Sequence, residues 1–254
     1  MRPRVTRKQI AMVFDRWGFQ PISGKAFEVL QRARLRPRVN WRKIRKEDVT
    51  HPGLWNRSAG IHTLRYGWLF NEYTSAMERL IARTPPRPGQ TVVELGCGPG
   101  ASVLMGRRLL PKVRFFGVDA APQMLRQAKL LQQRAGALGV KFNGVKRDGT
   151  TRFSSGGVDQ VWVHNAAHEE GVLKEASRIV RPGGVIKIVH GGTPLRIFSE
   201  ESAQNWVHEI QDFLPGFALK VSKRRVGKYY ELYIEARKAV QKVVHHYIGG
   251  PNKI

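Results

Sequence analysis

The hydrophobic rhythm of the chain changes near residue 90. From Thr91 onward, short apolar runs alternate with longer segments of helical period. Residues 92–95 predict a strand, 101–110 a helix stopped by Pro111, and 113–118 a second strand ended by Asp119. Pro122 suits the first turn of a helix running to about Arg134. Residues 140–145 predict a third strand, 158–164 a fourth, 169–180 a helix ended by Arg-Pro-Gly-Gly, and 185–189 a fifth strand. Ser199 is placed to cap a helix reaching Phe213, and 217–224 and 229–236 predict two strands about a turn at Gly227. Alternation of this kind predicts a largely parallel sheet covered by helices.

Before residue 90 the pattern is different. Leu64, Trp68, Leu69, Met77, Leu80 and Ile81 give residues 64–82 a tolerable helical face, and "TPPRPG" at 84–89 breaks that helix and reads as a linker. Upstream lie "RPRVTRK" and "RARLRPRVNWRKIRK", with Pro37 and Trp41 interrupting any simple helix. The chain therefore divides into a basic N-terminal extension with an aromatic helical segment (1–89), an α/β domain (90–238) and a basic tail (239–254).

Composition adds a partner to this picture. The 254 residues carry 44 Lys and Arg against 19 Asp and Glu, a formal net charge of +25. Charge of this size calls for a polyanion, nucleic acid first and an anionic membrane second. No clean basic amphipathic helix supports the membrane, and no apolar run approaches the ~18 residues of a span. The single cysteine excludes an internal disulfide, a multi-cysteine zinc site and RNA methylation through two catalytic cysteines. No metal site is expected. Arg32, Arg34, Arg36, Arg38, Arg42, Lys43, Arg45 and Lys46 are the candidate RNA contacts, because guanidinium forks fit phosphate oxygens and stack on bases. Such a segment is expected to order on RNA.

Candidate chemistry centres on "TVVELGCGPGASV", residues 91–103. A strand runs into Gly96, Gly98 and Gly100, and a helix follows. Glycines let the backbone turn tightly against a ligand, and the helix start presents N–H groups and a positive dipole end. Asp119 ends the next strand about 20 residues on, the spacing from which a carboxylate reaches ribose hydroxyls. These features predict a nucleoside cofactor. A nicotinamide dinucleotide is disfavoured by Glu94, an acid where pyrophosphate would sit; the ammonium and sulfonium of S-adenosylmethionine suit it. The "SGKA" at 23–26 lacks the glycine and hydroxyl residue of a phosphate loop.

In order, "VVELGCGPG", "FFGVDAAPQML", "KRDGT", "VDQVWVHNAAHEE" and "LKEASRIVRPGGVIKIV" resemble the class I S-adenosylmethionine-dependent methyltransferases, nearest the broad type 11 subgroup, over about 100 residues. The resemblance implies a Rossmann-like, seven-stranded, mostly parallel sheet with an antiparallel last strand. It implies S-adenosylmethionine as cofactor, with Glu94, Gly96, Cys97, Gly98 and Gly100 at its methionine end. It also implies Asp119 on the ribose, Ala120 and Met124 near the adenine, and Asp148 and Gly149 at the adenine amine. His164, Asn165 and His168 would line the end of the fourth strand, with Asn165 also against the cofactor and Asn165 and His168 the candidates for catalysis. "HNAAH" lacks the Pro-Pro-aromatic signature of amino-directed nucleic-acid methylases, so the acceptor atom is left open. With the charge, the resemblance leads us to expect a methyltransferase acting on RNA or within a ribonucleoprotein, with ribosomal RNA and ribosomal proteins as partners. A non-catalytic assembly factor on the same scaffold and a small-molecule methyltransferase are the alternatives. The Arg-rich start, free of acids until Asp15, resembles an organellar targeting segment and makes a mitochondrial location the expectation over a cytoplasmic one.

Overall fold

The computed structural model describes residues 5–34, 52–166, 170–191, 200–226 and 229–240. Four helices precede the sheet: α1 (Arg7–Arg16), α2 (Gly24–Arg34), α3 (Pro52–Trp68) and α4 (Phe70–Ala82). The alternating part then runs β1 (Thr91–Leu95), α5 (Ala101–Leu109), β2 (Arg114–Asp119), α6 (Pro122–Ala135), β3 (Lys141–Gly144) and β4 (Val158–His164). It closes with α7 (Glu170–Ile179), β5 (Val180–Gly191), α8 (Glu200–Phe213), β6 (Phe217–Val226) and β7 (Tyr229–Lys238). The strand order is β3-β2-β1-β4-β5-β7-β6. Pairing is parallel from β3 to β5, while β7 inserts between β5 and β6, antiparallel to both. This is the Rossmann-like sheet of seven strands that the resemblance implies.

Both faces of the sheet are covered, so the central strands are largely apolar; β1 is buried at every position. On one face Leu173, Ala176 and Ile179 of α7, Trp206 and Ile210 of α8, and Leu214 just beyond it pack with Val93, Val161, Val163 and Ile188. On the other, α1, α4 and α5 pack with Trp162 and Tyr233. Each fully buried large side chain contributes about 1.5–3 kcal/mol.

That second face departs from the expected partition. α1 is no solvated arm. Thr6 and Gln9 form a capping box at its start, and Ile10, Val13 and Phe14 are buried. Phe14 meets Trp17, Phe19, Tyr66 and Phe70 with ring centroids 5.5–6.0 Å apart. The Arg-rich start thus feeds the same core cluster as β1 and β4, and no break in packing falls at residue 89. The expected helix over 64–82 is two helices broken at Leu69. Next to the break, the Gly67 carbonyl accepts from the Ile22 N–H, and a Cβ on Gly67 would stand 2.6 Å from the Gln20 carbonyl oxygen. The α1–α2 connection therefore presses against backbone where only glycine fits.

β5 is longer than the expected 185–189. It continues through Arg-Pro-Gly-Gly, with a register shift between Val158 and Gln160 of its neighbour. Inside it, Lys187 is fully buried and donates from Nζ to the carbonyls of Leu80 (2.7 Å) and Thr84 (2.9 Å). A single ammonium thereby satisfies carbonyls at the end of α4 and holds that helix on the sheet. Of the expected RNA contacts, Arg32 and Arg34 lie in the last turn of α2; Arg36, Arg38, Arg42, Lys43, Arg45 and Lys46 lie outside the described residues.

Candidate cofactor site

A cavity of about 330 Å³ lies over the carboxyl ends of β1, β2, β4 and β5. The strand order reverses between β1 and β4, and ligands of open α/β sheets bind at such a switch point. The cavity floor is the turn from β1 into α5. Gly96, Gly98 and Gly100 all have positive φ, +67°, +52° and +78°. Their roles differ. A Cβ on Gly100 would come within 2.6 Å of the Phe142 ring, so that glycine is needed for packing beneath the loop. A Cβ on Gly98 would meet nothing nearer than His62 at 3.9 Å, so its bare face is the one turned to the open cavity.

Asp119 stitches this loop to the next. Its Oδ2 accepts from the Gly98 N–H and its Oδ1 from the Ala121 N–H, both at 2.8 Å. Burial pushes its carboxyl upward against the downward pull of those two N–H groups. Each oxygen keeps a further lone pair, so the carboxylate is able to accept from two ribose hydroxyls as well. Glu94 is buried more deeply. Desolvation pushes its carboxyl up to about 8; the Ser102 hydroxyl and the Val103 backbone pull it down, and the nearby Asp119 charge adds to the rise. Its Oε2 is buried without a hydrogen-bond partner among the described residues. An orphaned acid oxygen in a cavity is what an ammonium or sulfonium would satisfy. Glycine face, ribose acid and orphaned acid together fit S-adenosylmethionine.

Comparison with known proteins agrees. A methyltransferase-domain family model matches residues 92–184. The trans-aconitate 2-methyltransferase of Azoarcus sp. (strain BH72) is 31% identical over 118 residues, 46% of each chain. A methyltransferase in complex with the Trm112 activator of Haloferax volcanii superposes with a TM-score of 0.54 at 19% identity, covering 73% of this chain and 97% of that one. Geranyl diphosphate C-methyltransferase of Streptomyces coelicolor A3(2), solved with S-adenosyl-L-homocysteine, gives 0.50 at 19% identity, covering 66% and 76%. Residues 92–184 form a methyltransferase domain of the class I S-adenosylmethionine-dependent family. The chain's match spans about half the length of the curated relative, and the solved structures, at such identities, show the fold.

In this methyltransferase fold the predicted cofactor residues Glu94, Gly96, Cys97, Gly98, Asp119, Ala120, Met124, Gly149 and Asn165 all line one cavity. Cys97 is buried, its thiol pushed upward by desolvation and by the Asp119 and Glu94 charges, so it is a packed loop residue and no nucleophile. Gly100 supports the floor from below. Asp148 corrects the expectation. It does not line the cavity; its Oδ1 accepts from the Thr150 N–H (2.9 Å) and hydroxyl (2.7 Å), which turns the carboxylate toward its own turn. Asn165 holds a left-handed φ of +57° while its N–H donates to the Val189 carbonyl. His168 lies outside the described residues. His164 is half-buried, with Nδ1 3.5 Å from the Ser102 hydroxyl and its ring 5.3 Å from that of Tyr73. Desolvation brings it down to about 4, so its imidazole is neutral at neutral pH.

Sequence reasoning missed one wall of the cavity. Trp55, His62 and Tyr66 of α3 and Tyr73 of α4 line it from residues outside the matched domain. The signal was the 55–59–62–66 spacing, a helical period in residues too polar to read as a core stripe. Among the described residues no group of three His, Cys, Asp or Glu is placed to hold a metal ion, and no helix is long and apolar enough to cross a membrane.

Proposed function

We propose that this protein transfers a methyl group from S-adenosylmethionine to RNA, within a ribonucleoprotein such as the ribosome. One observation carries the reading: the chain has a net charge of +25, yet among the described residues no Lys or Arg lines the cavity. Among the described residues the basic charge lies outside the cavity lining, where it would suit a polyanionic backbone. The tricarboxylate named for the curated relative would meet Glu94, Asp119 and Glu175 in this cavity, with no Lys or Arg among the described lining residues to pair its charges. At the end of β4, Tyr73 and His164 offer planar faces to a base.

The cofactor, when bound, supplies an electrophilic methyl on a sulfonium. Glu94 and the glycine loop hold the charged end, and Asp119 holds the ribose. Tyr73, His164 and Asn165 shape the space at the end of β4 in which an acceptor atom is positioned. Transfer to a neutral nucleophile needs alignment more than proton chemistry, and neutral His164 adds no charge to repel the sulfonium.

The test offers methyl-tritiated S-adenosylmethionine to total RNA, ribosomal particles, cell protein and small carboxylic acids. Label in a ribonuclease-sensitive fraction, lost in Gly98→Arg, is the expected result. Label confined to small acids overturns the RNA assignment. Full rescue of a deletion strain by folded Gly98→Arg that binds no cofactor replaces the enzyme with an assembly factor.

A further inference from the structure

The family model begins at residue 92, yet the cavity is not closed by residues 92–184 alone. α3 crosses above it. Trp55, Ala59, His62 and Tyr66 follow one another at intervals of four, three and four residues, so they share one helical face. Their contacts run in order along the site. Trp55 packs with Ala59, Ala121 and Met124 at the start of α6, beyond Asp119. Asn56 Oδ1 accepts from the Gln123 N–H at 3.0 Å and fixes that end of α3 on α6. His62 faces Gly98, its Cδ2 being 3.9 Å from where a Cβ would stand. Tyr66 shares the cavity lining with Glu94, and its hydroxyl is pushed upward by burial first and then by the Tyr73 and Glu94 charges. Trp55 to Tyr66 is about 16 Å of helix at ~1.5 Å per residue, enough to reach over an adenine, a ribose and an amino-acid chain laid end to end.

We propose that this face of α3 is the roof of the cofactor site, and that Trp55 supplies its aromatic contact to the adenine. The residues below dictate the polarity. Glu94 with its orphaned oxygen marks the cationic end, Asp119 the ribose, and Met124 with Ala121 the apolar floor for the base. Trp55 stands against that floor, and its indole meets the His62 ring edge-on at a centroid distance of 5.6 Å. A planar base laid on that floor beside Trp55 would meet the indole and the thioether as one apolar, polarisable surface. The roof gives selectivity for adenosyl compounds to a segment outside the matched domain.

The test is calorimetric titration of S-adenosylhomocysteine and of 5′-methylthioadenosine, which lacks the amino-acid end, without any acceptor. Trp55→Ala is expected to weaken both ligands at least tenfold while the ligand-free melting temperature stays near that of the parent. Trp55→Phe is expected to stay within about threefold. Trp55→Leu keeps the apolar packing if the alanine variant fails to fold, and it should bind as weakly as Trp55→Ala. S-adenosylhomocysteine should change the tryptophan fluorescence of the parent protein, and Trp55→Phe should lose that change. A folded Trp55→Leu that binds both ligands as the parent does overturns the proposal, whatever the acceptor proves to be.

Discussion

Glu94 is the residue on which binding and pH meet. In the free protein desolvation holds its carboxyl up at about 8, so near neutral pH it is largely protonated. A cation placed against it favours the ionised form, so binding below pH 8 must release a proton. Affinity for S-adenosylhomocysteine should therefore rise as pH increases from about 6 towards 8, by at most tenfold per unit, and stop rising beyond. The ligand's own ammonium titrates identically with every variant, so the comparison that matters is with Glu94→Gln, which should lack the rise. Titrations in buffers of different ionisation heat check it directly, and equal pH slopes in both proteins would remove Glu94 from the cationic end. Asp148 shows the opposite case. Its place in the motif was legible, but Thr150, two residues on, captures its carboxylate. Local hydrogen bonds of this kind compete with a ligand, and no spacing rule reports them.

Among the elements, all seven strands were legible because glycine, proline and Asp119 punctuate the apolar runs, of which the sheet buries the central ones on both faces. α1 was obscured by its charge. The Thr6–Gln9 box and the Ile10, Val13, Phe14, Trp17 spacing are present in the sequence, yet Arg7, Lys8 and Arg16 drew the eye to a binding arm. Phe14→Ala should then cost about 3–5 kcal/mol in denaturant unfolding, whereas a solvated arm would register almost nothing. α3 was obscured for another reason. The face it turns to the cavity mixes His62 with Trp55, Ala59 and Tyr66, so it presents no clean apolar period. Lys187 gives the bond between α4 and the sheet its own pH signature. Burial drives its ammonium down to about 7, so between about pH 7 and 10.5 the unfolded chain holds more protons than the folded one. Stability must rise with pH across that window. The difference in urea midpoint between the parent and Lys187→Met should accordingly shift in favour of the parent from pH 7 to pH 9; a constant difference would mean that the lysine is fully charged when folded.

For the whole molecule the charge remains the largest fact. If about six phosphates are contacted, RNA affinity should fall with salt at a log–log slope near −4 for single strands. Deleting the N-terminal residues cannot test this, because α1 belongs to the core. Replacing Arg36, Arg38, Arg42 and Arg45 together by Gln should flatten the slope by about 3. An unchanged slope would move the RNA face elsewhere, with the exposed Lys220 and Lys223 on edge strand β6 next to be tested. All of this rests on one claim, that the cavity beneath α3 is built for S-adenosylmethionine. Calorimetry with S-adenosylhomocysteine addresses it most directly. The account predicts micromolar binding to the parent protein. Asp119→Ala should bind at least tenfold more weakly, because it loses its ribose acceptors at about 1 kcal/mol or more each. Gly98→Arg should bind nothing while still folding, because its side chain would project into the cavity. A parent protein that gives no heat at millimolar ligand, or a Gly98→Arg protein that binds as well as the parent, would contradict it.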